Sequence, residues 1–177
     1  MKYQLTPHPA AMPKSVRTVE VDITANDQCE MMIDFRIDGD NVVVPDWQSS
    51  RRENGLWNST CFELFLGTLD SESYLEFNFS PSSRWAAYKF DAYRKGMRDQ
   101  HMTVEPHVEF DPDRPLELSV DLDLADTPRG PLIGNLTAII EEQGGHKSYW
   151  ALAHAPGPPD FHNRDCFVAS LPPVVTP

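Results

Sequence analysis

Basic charge is scarce in this chain: 15 lysines and arginines stand against 27 aspartates and glutamates, for a net charge of −12. The few cations are scattered, with no stripe or basic helical face, which argues against binding to a phosphate backbone and so against nucleic acid as a partner. Long apolar runs are missing too. None approaches the ~20 residues that span a bilayer as a helix, so no membrane partner is expected. The opening MKYQLTPHPAAMPKSV lacks the apolar core of a secretory signal, and a cytoplasmic location is the expectation. On that expectation the sequons at Asn58 and Asn135 are chance matches. Cys29, Cys61 and Cys166 are far apart and form no CxxC, which excludes a disulfide framework and a thiolate zinc site. Neither GxGxxG nor GxxxxGK[ST] occurs, so no phosphate cradle is expected, and the residues call for no cofactor and no metal.

A helical apolar stripe is also absent, and alternation with period two takes its place. Val19, Val21 and Ile23 alternate with Glu20 and Asp22, and Leu116, Leu118, Val120, Leu122 and Leu124 alternate with Glu117, Ser119, Asp121 and Asp123. Such half-buried strands belong to antiparallel sheets. Segments 19–23, 31–37, 60–67, 73–80, 84–91, 103–111, 116–124, 134–142 and 147–154 give about nine strands with little helix. The expectation is an all-β, antiparallel two-sheet sandwich, immunoglobulin-like or jelly-roll, filling residues 1–177 as a single domain. Two long polar loops, 46–58 and 155–166, sit where binding residues tend to be carried by a rigid sheet.

The stretch from Leu56 to Tyr88 carries the most chemistry. With residues 67–73 as a hairpin loop, Leu66 faces Leu75, Leu64 faces Phe77 and Phe62 faces Phe79, which makes one face wholly apolar. The other face then presents Glu63 across from Asn78. If 81–83 is a three-residue connection, Arg84 and Tyr88 join that face one strand further along. A carboxylate, an amide and a guanidinium offer fixed partners for hydroxyl groups, and the ring of Trp57 can cover the apolar side of a pyranose. Trp85, Trp150 and Phe161 are the candidates for a second ring. The same residues also fit an ordinary cross-strand pair of Glu63 with Arg84, with Trp57 closing one end of the sandwich.

LWNSTCFELFLG, YLEFNFSPSSRWAAY, SYWALAH and PPDFHNRDCF, in that order, resemble the DOMON-like superfamily, and within it the family 9 carbohydrate-binding modules. The resemblance spans nearly the whole chain. It implies a β-sandwich that holds a saccharide between aromatic rings, with Trp57, Glu63 and Arg84 at the positions of the family's tryptophan, acid and arginine. For the second aromatic wall it leaves Trp150, Phe161 and His162 as alternatives. Relatives that bind heme use methionine and histidine ligands. Here Met97, His101 and Met102 lie close together in a polar segment read as exposed, and the Asp38 and Asp111 turns are weak matches to a calcium loop.

The expected function is therefore non-catalytic binding of a saccharide or similar polar ring by Trp57, Glu63, Asn78, Arg84, Tyr88, Trp150, Phe161 and His162. Two alternatives stay open: a module that docks a protein partner on its sheet, or a carbohydrate-active enzyme using Glu63 and Glu76. His154 and His162 with Asp160 or Asp165 match no metal motif with a known mechanism.

Overall fold

In the computed structural model, residues 1–26, 29–113 and 116–174 are described. They form thirteen strands: β1 (Lys2–Pro7), β2 (Val16–Ala25), β3 (Glu30–Gly39), β4 (Arg51–Arg52), β5 (Cys61–Thr68), β6 (Tyr74–Phe79), β7 (Arg84–Phe90), β8 (Arg98–Asp99), β9 (His107–Asp111), β10 (Leu116–Asp123), β11 (Gly130–Glu142), β12 (His146–Ala151) and β13 (Ala169–Val174). The helical content is two single 3-10 turns, Leu56–Asn58 and Arg164–Cys166. Among the described residues no helix is long and apolar enough to cross a membrane.

All-β architecture agrees with the period-two reading, but strand number and connectivity differ from it. Eleven strands follow one hydrogen-bonded path, β4-β7-β6-β5-β11-β12-β1-β2-β3-β10-β9, with β13 added on β11 and β8 on β7. Residues 2–5 of β1 pair with β2, and Thr6 and Pro7 pair with β12, so this strand carries the path from one curled arm to the other. Two separate sheets of about nine strands are thus replaced by a continuous sheet of thirteen. Its pairs are antiparallel except β4 with β7.

The four unforeseen strands have physical reasons to be silent in sequence. β4 and β8 are two residues long, too short for any period. β1 buries only Leu5 among its apolar residues, and β13 contains two consecutive prolines, which deny the ladder two N–H donors.

The core lies between the arms. Val19, Val21, Phe35 and Val120 come from one side and Phe62, Leu64, Phe77 and Leu136 from the other, and all are 0–1% exposed. The rings of Phe35 and Phe62 meet across it with centroids 4.9 Å apart. Unlike β2, β3 and β10, in which buried and more exposed residues mix, β5 and β6 are buried along their whole length. Their second face supports a smaller apolar cluster, with Phe65, Tyr74, Phe90, Phe161 and Phe167 among its members. Tyr74 and Phe90 stack within it at 4.8 Å. That face was expected to be wetter, and the segment 155–167 contributes the rings that dry it.

Because Phe62 bridges the two arms at full burial, Phe62→Ala is expected to lower unfolding stability by about 3–5 kcal/mol. Denaturant titration checks this, and a loss under about 1 kcal/mol would show that the arms do not depend on the contact.

Candidate functional site

The β5–β6 hairpin sets which side chains turn outward. Phe62 pairs with Phe79, Leu64 with Phe77 and Leu66 with Leu75, which sends Glu63 and Phe65 to the opposite face together with Glu76 and Asn78. Asn78 is in turn across from Ala86 and Glu76 across from Tyr88, so Arg84, Ala86 and Tyr88 share that side. On the other flank β11 places Thr137 beside Glu63, and β12 places Tyr149 opposite Ile139.

Over this face lies a cavity of about 380 Å³. Glu63, Phe65, Glu76, Phe90, Ile139 and Tyr149 come from the sheet, Trp57 from the first 3-10 turn, and Arg94, Met97, Pro159, Phe161 and His162 from the loops above. Four of the eight residues singled out in the sequence line it: Trp57, Glu63, Phe161 and His162.

The other four are placed elsewhere. Asn78 is fully buried and its amide donates to Glu76 Oε1 at 2.8 Å. Tyr88 supports the rim from outside, with its ring 6.1 Å from that of Trp57 and its hydroxyl donating to Asn54 Oδ1 at 2.7 Å. Trp150 points into the core between the arms, where its Nε1 donates to Ser148 Oγ. Its neighbour Tyr149 is the one that faces the cavity, a displacement by one residue that reverses the side of the sheet.

Arg84 has the expected parity and a different task. Its guanidinium donates to Ser49 O and to Gln48 Oε1, and Nε lies 3.2 Å from Glu53 Oε2. At 4% exposure it fastens the segment 48–53 over β7, outside the cavity. It makes no pair with Glu63, which corrects the cross-strand reading, and its guanidinium is held by the segment 48–53.

Phe65, Glu76, Phe90, Arg94, Met97, Ile139, Tyr149 and Pro159 are lining residues absent from the expected site. For Phe65 and Glu76 the signal was present, since both share the strand parity of Glu63. For Arg94, Met97 and Pro159 no periodic signal exists, because loops lay them over the sheet. The Met97, His101 and Met102 cluster is divided among three environments: Met97 at the cavity, His101 exposed and Met102 in the core. Among the described residues no group of three or more His, Cys, Asp or Glu is placed to hold a metal ion.

The electrostatics of the cavity are set by burial. Glu63 is 3% exposed, and its Oε2 accepts a 2.9 Å hydrogen bond from Thr137. Burial, reinforced by the charge of Glu76, pushes its carboxyl up to about 8. Glu76, 5% exposed, is also raised by burial, against the opposing effects of the Asn78 amide and the Arg94 charge. Burial and then the Arg94 charge bring His162 down to about 4, so its ring is neutral near pH 7. Tyr74 OH accepts the Arg94 backbone N–H at 3.2 Å and lies 2.8 Å from His162 Nδ1. The other ring nitrogen, Nε2, faces Glu76 Oε2 at 3.7 Å. The cavity thus offers a protonated carboxyl, a second carboxyl and a neutral imidazole, surrounded by rings.

No protein-family model matches the chain, and no curated protein matches it. Its fold is similar to the crystal structure of a candidate carbohydrate-binding protein from Bacteroides uniformis ATCC 8492. The TM-score is 0.69 at 16% identity, covering 94% of this chain and 84% of that one. At that identity the likeness is one of fold.

Two outcomes follow from the site geometry. An unfolded glutamate releases its proton near the ordinary 4.5, whereas Glu63 holds it to about 8 when folded. The folded state therefore binds more protons between these values, and stability falls as pH rises through that window. Glu63→Gln, which keeps an acceptor for Thr137, is expected to flatten that decline in a series of thermal melts, leaving a smaller slope of the same sign from Glu76. An unchanged slope would mean that Glu63 titrates normally. Arg84→Ala is expected to cost on the order of 2–4 kcal/mol in chemical denaturation through its lost charged hydrogen bonds, and a neutral result would contradict its clamping role.

Proposed function

We propose that the protein is a non-catalytic binding module that takes a saccharide into this cavity. The observation that carries the reading is the indole of Trp57, 36% exposed at the rim of a space whose other lining residues include four further aromatic rings and the polar groups of Glu63, Glu76, Arg94 and His162. A volume of about 380 Å³ falls in the range of small-molecule sites, and convergent polar groups among apolar walls are their usual composition. Trp57 and Tyr149 or Phe161 supply apolar surface to a pyranose, and Glu63, Glu76 and His162 take its hydroxyls. This moves the polar contacts away from Asn78 and Arg84.

The fold shared with a candidate carbohydrate-binding protein supports the reading, as does the resemblance to DOMON-like, family 9 carbohydrate-binding modules, in which a two-sheet sandwich carries the site. We place the protein in the cytoplasm, with Cys61 and Cys166 as buried thiols.

Glycan-array screening followed by calorimetry tests the proposal. Loss of the aromatic contact in Trp57→Ala is expected to weaken binding about 2- to 12-fold. Saccharide binding untouched by that substitution would reject the cavity as the site.

The adjacency of Glu63 and Glu76 favours a second reading, catalysis on the same ligand with the protonated Glu63 as general acid. It requires turnover of the bound sugar that Glu63→Gln abolishes while the protein stays folded. Binding without turnover in the wild-type protein rejects it.

A further inference from the structure

Two acids, Glu63 and Glu76, line the cavity with one charged base, Arg94, and one neutral imidazole, His162. Glu63 and Glu76 are 3% and 5% exposed. Thr137 donates to Oε2 of Glu63 and Asn78 to Oε1 of Glu76. Among the described residues no donor forms a hydrogen bond to the second oxygen of either carboxyl. One oxygen of each nearly buried acid is thus left for whatever enters, and that of Glu63 becomes an acceptor when an incoming cation displaces its proton.

The neighbouring bases do not meet that demand. His162 Nε2 stands 3.7 Å from Glu76 Oε2, too far for a hydrogen bond. The Arg94 guanidinium is engaged by Asp160, with Nη2 2.9 Å from Oδ1, and its charge offsets that of Glu76 only in part. Asp160 in turn accepts from the Tyr93 hydroxyl and the His162 backbone N–H. Among the described residues these acids belong to no group of three or more His, Cys, Asp or Glu placed to hold a metal ion.

The remaining walls favour the same sign of guest. Trp57, Phe65, Phe90, Tyr149 and Phe161 line the cavity, and aromatic faces attract cations. A neutral sugar would meet the two open oxygens with hydroxyls and leave Glu63 holding its proton, so only Glu76 could ionise beside it. An ammonium brings three N–H donors and the missing positive charge to the same atoms.

We propose that the ligand of this site carries a protonated primary amine, seated against Glu63 and Glu76. On the saccharide reading it is an amino sugar with an unsubstituted amino group. The ring specificity rests on that reading, whereas the amine follows from the charge and packing of the cavity alone.

Calorimetry near neutral pH with glucosamine, galactosamine and mannosamine, each beside its parent hexose and its N-acetyl derivative, tests both levels, with ethanolamine as a sugar-free amine. At least one amino sugar is expected to bind about tenfold more tightly than its two neutral counterparts. Glu76→Gln is expected to remove that preference while the thermal melt shows a folded protein. Glu63→Gln serves as an independent variant should Glu76→Gln fail to fold.

A parent hexose or N-acetyl sugar that binds as tightly as its amine overturns the amine inference and leaves saccharide binding standing. If no sugar binds but ethanolamine does, and the glutamine variants lose it, the amine stands and the saccharide reading falls. Binding of none of the probes overturns both.

Discussion

Glu63 and Glu76 project from adjacent strands into one cavity while almost fully buried, and two carboxylates so placed cannot both be ionised without an external charge or a retained proton. Everything else around the cavity answers that constraint. Thr137 and Asn78 each occupy one oxygen, the imidazole of His162 is kept neutral, and the nearest guanidinium, that of Arg94, is tied to Asp160. The site is polar at its floor and apolar at its walls. That combination suits a ligand with an apolar face and strong hydrogen-bond donors.

The constraint is made possible by a sheet buried on both sides. β5 and β6 give one face to the core between the arms and the other to the cluster around Phe65, Tyr74 and Phe90. An acid on an ordinary solvated sheet face would ionise near its usual value and be worth little to a ligand. Here the segment 155–167 and the 3-10 turn at Trp57 cover the outer face only in part, and the gap between them is the cavity. Arg84 serves the same end at one remove, since it secures residues 48–53, next to Asn54, which holds the Tyr88 hydroxyl under the indole of Trp57.

How much of this was legible in the sequence depended on whether strand parity governed it. The hairpin from Cys61 to Phe79 was readable to the residue, because three apolar pairs fix its register and force Glu63, Glu76 and Asn78 to the other side. Parity also gave the side of Arg84, but not its partners, since the path of a polar loop leaves no periodic trace. In Ser148-Tyr149-Trp150 two adjacent aromatics compete, and only the pairing of Tyr149 with Ile139 decides that the tyrosine faces the cavity and the tryptophan the core. The continuous path through β1 was hidden for a related reason. A strand that splits its pairing between two neighbours and buries a single leucine reads as a tail.

The most direct measurement is a pH titration of the glutamate side-chain carboxyl carbons by NMR, with Glu63→Gln and Glu76→Gln assigning the signals. The account requires Glu63 to titrate at about 8 and Glu76 above the ordinary 4.5, each moving when the other is replaced. Two independent transitions near 4.5 would mean that the pair is solvated and uncoupled, and the cavity would lose the property on which its proposed chemistry depends.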